Sequence, residues 1–217
     1  VEYDMSVVGT VAADMVYENA NTRKQETALG NFISDAIREM TGADVALVNG
    51  GGIRSSLYQG DVTGDDLSYV CPYGNLIIVA EMDGATLRAA IENGIQKTWK
   101  PAGQFLQVSG IKYSFKPAAD ETETAELVSL TYADGTEIKD DDTVTVAYTN
   151  YMGGSGGYVD AGDGFTMLNV YDQNTPVNVT LKTETEKTYC DALKEYFANH
   201  KDEKITASLE GRIEVIQ

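Results

Sequence analysis

Asn49-Gly50-Gly51-Gly52-Ile53-Arg54 follows directly on the apolar run Val45 to Val48, and this junction constrains the fold more than any other stretch. A short apolar run that ends in three glycines reads as a buried strand leaving a sheet at one of its ends. Glycines carry no Cβ, so the backbone there is free to take positive φ and to let a ligand approach its N–H groups. Arg54 adds a planar, permanently charged fork suited to phosphate or carboxylate oxygens. Such a corner is able to receive an anion. The same residues alone would equally make a tight turn with a surface arginine, so context has to decide. Two further loops supply it: Pro72-Tyr73-Gly74-Asn75, and a second Gly-rich stretch with Asn150-Tyr151 and Asp163-Gly164-Phe165.

Periodicity places these loops among regular elements. Met5, Val7, Val8 and Val11 suggest an opening strand, and Asp14 to Asn21 a polar, irregular approach that also holds Arg23. Leu29, Phe32, Ile33, Ala36, Ile37 and Met40 recur at helical spacing and give one buried stripe that Thr41-Gly42 ends. Thr63 is placed as the N-cap of a short helix, with Asp65 and Asp66 in its first turn. Leu76 to Ala80 is short and rich in β-branched residues, hence a buried strand, and Leu87, Ala90, Ile91 and Ile95 mark a second amphipathic helix. The middle is β-rich, from Phe105 to Val108, Ile111 to Phe115, Leu127 to Tyr132 and Val144 to Tyr148, with Ala133-Asp134-Gly135 a hairpin signal. Tyr189, Leu193, Tyr196 and Phe197 describe a last helix and Arg212 to Ile216 a closing strand. Irregular alternation of helices and strands predicts a single α+β domain over 1–217, a mixed sheet flanked by helices.

Charge and cysteine usage narrow the partners. With 34 acidic against 16 basic residues the net charge is −18, which repels nucleic-acid backbones and anionic membrane surfaces. A small anion remains compatible, because local geometry concentrates a few arginines and N–H groups in one cleft against the global field. No apolar run is long enough to span a membrane, and no signal peptide is present in these residues. Val1 is not a natural start, which leads us to expect a piece of a longer protein. Cys71 and Cys190 do not specify a pairing, and free thiols are the favoured reading. The single histidine, His200, sits at the polar end of the last helix and is read as an interaction with the helix C-terminus rather than as a metal ligand.

Six stretches in this order, Glu26 to Asn31, Asn49 to Arg54, Gly60 to Thr63, Pro72 to Asn75, Val108 to Ile111 and Asp163 to Phe165, resemble the C-terminal domain of the 5'-nucleotidase family. That family includes UDP-sugar hydrolases and ecto-5'-nucleotidases. The resemblance implies a nucleotide-binding domain with the corner residues Gly51 and Gly52 in its site. Arg23 and Arg54 match arginines on the phosphate and ribose side, and Asn49 and Asn75 match asparagines near the base. Tyr73 and Tyr151 stand where the family usually has two phenylalanines that sandwich the base; tyrosine keeps the aromatic face.

The last motif departs from the family pattern, an aromatic residue followed by Gly-Gly-Asp-Gly whose aspartate accepts from the ribose hydroxyls. Read without a gap from Tyr151 that aspartate falls on Gly157; read as an insertion it is Asp163. The insertion is favoured, because Asp163-Gly164-Phe165-Thr166-Met167-Leu168 restores the family's downstream run. Tyr158 then stands as an alternative second ring. Family signatures for metal ligands, Asp-x-His and Gly-Asn-His-Glu, are missing from these residues. By resemblance two divalent metal ions belong to a preceding phosphoesterase domain, no catalytic residue and no cofactor lie in this chain, and the chain binds substrate for an exported or cell-surface hydrolase of nucleoside monophosphates. UDP-sugar hydrolase and 2',3'-cyclic-nucleotide phosphodiesterase relatives are alternatives.

Other nucleotide and nucleophile motifs fit poorly. A dinucleotide fingerprint wants a third glycine where Ser55 stands, and no Gly-Lys-Ser/Thr phosphate loop or Gly-x-Ser-x-Gly elbow occurs. A non-catalytic surface module that binds a sugar or peptide through its tyrosines is the reading from a different class.

Overall fold

A computed structural model describes residues 2–154, 162–171 and 178–217. In chain order its elements are β1 (Val7–Val11), α1 (Asn19–Thr22), α2 (Ala28–Thr41), β2 (Val45–Asn49), β3 (Gly60–Thr63), α3 (Gly64–Val70), β4 (Ile77–Asp83) and α4 (Gly84–Ile95). They continue with β5 (Leu106–Ser109), β6 (Ile111–Lys116), β7 (Glu126–Tyr132), β8 (Thr143–Thr149), β9 (Val179–Glu184), α5 (Tyr189–Asn199) and β10 (Ile213–Val215).

The strands divide over three sheets. The largest has the order β5-β2-β8-β4-β9, with β2 parallel to β8 and every other neighbouring pair antiparallel. A second sheet runs β10-β6-β7, and β1 pairs with β3 in a two-stranded ribbon. The expected mixed sheet is thus the central one. What periodicity alone does not reveal is its partition from β6, although β6 follows β5 after a single residue. That residue is Gly110, with φ 87°; a Cβ there would lie 2.2 Å from the Asp44 carbonyl. The left-handed turn carries the chain out of one sheet into the other.

Both faces of the central sheet are covered over its inner strands, so β2, β4 and β8 are buried at most positions and read as apolar runs. Successive residues nonetheless sort by face. Val45 and Leu47 of β2, Ile78, Ala80 and Met82 of β4, and Val146 and Tyr148 of β8 join one core with α4, Phe105 and the β10-β6-β7 sheet. Ala46, Val48, Ile77, Val79 and Ala147 join the other, with the buried stripe of α2 and with Leu193 and Phe197 of α5. Phe32 of α2 meets Tyr196 edge-on at 5.2 Å and Phe197 at 5.7 Å.

Helix ends follow the chemistry of their residues. Thr27 caps α2 through the Gly30 N–H at 3.0 Å, and Gly42 closes it in the left-handed conformation, φ 68°. Thr63 and Asp66 form the capping box of α3, as the sequence predicts, and Thr188 with Asp191 forms that of α5. Three elements were hidden in polar sequence: the short helix α1, within the stretch expected to be irregular; the strand β3, of which only Thr63 was given a structural place, as an N-cap; and the edge strand β9, whose exposed residues are mostly polar. Cys71 and Cys190 are free thiols; the Cys190 thiol donates to the carbonyls of Leu67 and Cys71 at 3.1 Å each, tying α5 to the end of α3.

His200 corrects its sequence reading. Its backbone N–H reaches the Tyr196 carbonyl at 3.1 Å, but the imidazole nitrogens pair with carboxylates rather than with the last helical carbonyls. Nε2 lies 2.7 Å from Glu39 and Nδ1 2.8 Å from Glu203, with the ring stacked on Tyr196 at 4.1 Å. Two full carboxylate charges outweigh the partial charge of the helix C-terminus. The hydrogen bonds that the imidazolium donates to Glu39 and then to Glu203 raise its pKa above the ordinary value. Because the folded value exceeds the unfolded one, the stabilisation is complete below the unfolded pKa of about 6.5 and is lost as pH rises through the folded pKa. We expect His200→Gln to lower the thermal midpoint more at about pH 5.5 than at about pH 8.5. Equal losses at both pH values would mean that the carboxylates do not hold the imidazolium.

Candidate functional site

The parallel strands β2 and β8 end side by side, and the loops leaving them open a cavity of about 310 Å³. This is the lower end of the range of roughly 300–1,000 Å³ for small-molecule sites. All nine residues selected from the sequence line it: Arg23, Asn49, Gly51, Gly52, Arg54, Tyr73, Asn75, Tyr151 and Asp163. They come from loops far apart in the chain. Tyr158, the alternative second ring, lies outside the described residues.

The glycine corner is built differently from the sequence expectation. Gly50–Gly52 forms one 3-10 turn, and none of the three glycines has positive φ. The Gly50 and Gly51 N–H groups are spent on the Phe105 and Gly103 carbonyls, at 2.7 and 3.0 Å, and so do not face a ligand. The glycines are required for space. A Cβ on Gly50 would stand 2.3 Å from the Thr22 carbonyl, and one on Gly51 would stand 3.0 Å from Gly103 Cα. Close approach of three backbone segments brings the end of α1, and with it Arg23, to the cavity. Of the groups expected to face an anion, the Gly50 and Gly51 N–H are thus taken up by backbone carbonyls, and the guanidinium groups of Arg23 and Arg54 line the cavity.

Arg23 Nε is buried and has no hydrogen-bond partner among the described residues. A buried charged donor without a partner is costly, and here it lines a cavity. Arg54 is anchored by its own N–H to the Val70 carbonyl at 2.8 Å, at the end of α3, from which the chain passes through Cys71-Pro72 to Tyr73. Its guanidinium donates to the Tyr73 hydroxyl at 2.5 Å and lies 5.5 Å from the ring centroid, a cation–π contact. Tyr73 itself is 47% exposed, so much of this ring remains open to solvent. The loop of Asn75 is pinned to that of Tyr151, since Leu76 N–H donates to the Asn150 side-chain oxygen at 3.0 Å and Asn150 N–H to the Leu76 carbonyl at 2.8 Å.

Asp163 adopts the left-handed conformation, φ 58°. Its carbonyl accepts from Asn93 of α4 at 3.0 Å. The carboxylate accepts from Asn49 Nδ2 at 3.2 Å on one oxygen and from the Tyr151 hydroxyl at 3.1 Å on the other. Tyr151 in turn packs on Gly162, where a Cβ would fall 2.4 Å from the ring. Each carboxylate oxygen keeps a lone pair beyond these contacts. Of the two alignments open to the sequence, the one that uses Asp163 puts a carboxylate in the cavity.

Tyr189, Thr149, Gly103 and Cys71 also line the cavity and were not selected from the sequence. Tyr189 begins α5, is 6% exposed and donates to Asn49 Oδ1 at 3.4 Å. Burial pushes its phenol far above the usual pKa, so it stays protonated. In sequence it belongs to an apolar helix stripe, and nothing in that spacing separates a core tyrosine from a cavity wall. Thr149 and Gly103 could have been found from strand position alone, one at the end of β8 and one beside the start of β5. Among the described residues no group of three or more His, Cys, Asp or Glu side chains is placed to hold a metal ion. These described residues do not fit a metal centre.

Comparisons with known proteins agree with this architecture. The family profile described as "5'-nucleotidase, C-terminal domain" matches residues 7–170. The chain is 36% identical over 147 residues to a trifunctional nucleotide phosphoesterase of Bacillus subtilis, a match over 64% of this chain and 10% of that protein. It is 33% identical over 213 residues to a cell wall protein of Listeria monocytogenes, covering 93% of this chain and 25% of the relative. The crystal structure of a 5'-nucleotidase precursor from Thermus thermophilus superposes with a TM-score of 0.80 at 31% identity, over 97% of this chain and 39% of that one. The chain thus spans at most about two fifths of the length of these relatives. The match to the profile covers most of the residues that build the cavity, and by it the chain belongs to the family of 5'-nucleotidase C-terminal domains.

Proposed function

We propose that the cavity holds a nucleotide and that the chain is the substrate-binding part of an exported 5'-nucleotidase-type phosphoric ester hydrolase. One observation carries the reading: two guanidinium groups, two phenol rings and a carboxylate from separate loops line one cavity of nucleotide-binding size. Tyr73 and Tyr151 supply flat faces for the base, Arg54 and Arg23 supply donors for phosphate, and Asp163 accepts from the ribose hydroxyls. Asn75 stands at the base side, and Asn49 serves mainly to hold Asp163. Arg23 lines the cavity and its Nε has no acceptor among the described residues, so an anion bound there would give its guanidinium the partner it lacks. Hydrolysis would belong to a separate phosphoesterase domain with two divalent metal ions in the same polypeptide. Cell-surface placement is supported by the Listeria relative's description as a cell wall protein.

Calorimetric titration of this chain with AMP and UMP tests the reading, and binding of glycans but of neither nucleotide would favour the sugar-binding module instead. Tyr73→Ala should weaken nucleotide binding by roughly 1–3 kcal/mol through the loss of one stacking face. Because Tyr73 also holds Arg54, Tyr73→Phe separates the two roles: it keeps the ring and removes the hydroxyl. Stacking predicts near wild-type affinity for the phenylalanine variant. An affinity as low as that of the alanine variant would assign the tyrosine to placing Arg54.

A further inference from the structure

Asp163 is useful to a ribose only if its carboxylate keeps one orientation, and a chain of side chains fixes it. Asn49 links the carboxylate to Tyr189: Nδ2 donates to Asp163 at 3.2 Å and Oδ1 accepts from the Tyr189 hydroxyl at 3.4 Å. Asn49 is 7% exposed and Tyr189 6% exposed, so neither can easily replace a lost partner with water. The Tyr189 ring lies beneath the glycine corner, since a Cβ on Gly52 would meet its Cε2 at 3.4 Å. The tyrosine thus has two separable parts, a ring that packs and a hydroxyl that holds an amide. It also lies beyond residues 7–170, the segment matched to the family profile.

We propose that Tyr189 is a positioning residue for ribose recognition: its hydroxyl holds the Asn49 amide in the orientation that directs Nδ2 at Asp163 and so presents the carboxylate to the ribose diol. Without that hydroxyl the buried Asn49 Oδ1 has no donor from this side, and the amide rotates to find one. Asp163 then loses one of its two side-chain donors and keeps only Tyr151. The consequence is selective. Phosphate contacts come from Arg23 and Arg54 and stacking from the Tyr73 and Tyr151 rings, neither of which needs the Tyr189 hydroxyl, whereas discrimination between a ribose and a sugar without hydroxyls depends on the carboxylate.

The proposal rests on the nucleotide reading above, and the experiment keeps the two apart. AMP and 2',3'-dideoxy-AMP are titrated into the wild-type chain and into Tyr189→Phe, which keeps the ring. The wild type should prefer AMP by about tenfold or more, the value of a hydrogen bond to a charged group. In Tyr189→Phe this preference should fall about fivefold. A variant that keeps the wild-type preference overturns the proposal. So does a variant that loses both ligands alike, because Tyr189 would then support the cavity wall as a whole. A wild-type chain that binds AMP and the dideoxy analogue equally would overturn the ribose assignment itself.

Discussion

Glu26→Ala should lower the thermal midpoint by about 10 °C, from a loss of roughly 3–4 kcal/mol. Glu26 is 7% exposed and stands just before α2, yet all but one of its partners lie at the other end of the chain. Its two oxygens accept the backbone N–H groups of Glu210 at 2.8 Å, Arg212 at 2.9 Å and Ile213 at 3.4 Å, and the Asn31 amide at 2.6 Å. One carboxylate therefore fastens the start of β10 to α2. Alanine leaves several buried donors with no acceptor, which costs more than the bonds were worth. Glu26→Gln should fall between, since one oxygen still accepts while the new NH₂ faces donors. Thermal unfolding followed by circular dichroism measures both. A midpoint within about 3 °C of wild type for the alanine variant would show that water satisfies these groups.

Gly50→Ala should act on stability and binding together. The added Cβ would stand 2.3 Å from the Thr22 carbonyl and 3.2 Å from the Phe105 carbonyl, and neither is a side chain that could rotate away. The Thr22 oxygen is also held by Gln107 Nε2 at 3.1 Å, and the next residue is Arg23. Accommodation has to move α1, so we expect about 3 kcal/mol of destabilisation from overpacking and a drop in AMP affinity of about tenfold or more as Arg23 leaves the cavity. Gly74→Ala provides the contrast. Its methyl would meet nothing within 4 Å, and the midpoint should barely change. A Gly50→Ala protein with wild-type midpoint and affinity would remove the close approach of α1 and β2 as the reason for this glycine.

Glu26 and Gly50 also mark how the sequence could be read. Both sat in motifs that carried the family resemblance, and both were placed in the right region for incomplete reasons. Glu26 enters the sequence reading only as the first residue of a family-like stretch, but it binds a segment 184 residues away. Gly50 reads as conformational freedom, whereas its φ is ordinary and the constraint is a neighbouring backbone. Local pattern carries local physics, and long-range approach leaves no periodic trace. Tyr189 illustrates the same limit: its place in the stripe of α5 is visible, and its hydroxyl's partner on β2 is not.

The sequence by itself determined the elements that bury a continuous face or end in a chemically distinct cap. The stripe of α2, the apolar runs of β2, β4 and β8, and the Thr63 cap are each set by residues within one turn or one strand of each other. The ordered loop motifs also determined the family and named nine residues of one cavity. Only the tertiary structure decided which strands share a sheet, that the corner's N–H groups turn inward, and that Asp163 is held by Asn49, Tyr151 and Asn93 at once. The physical reason is that such contacts join groups dozens of residues apart, and their energy depends on distances between elements that no single stretch of chain encodes.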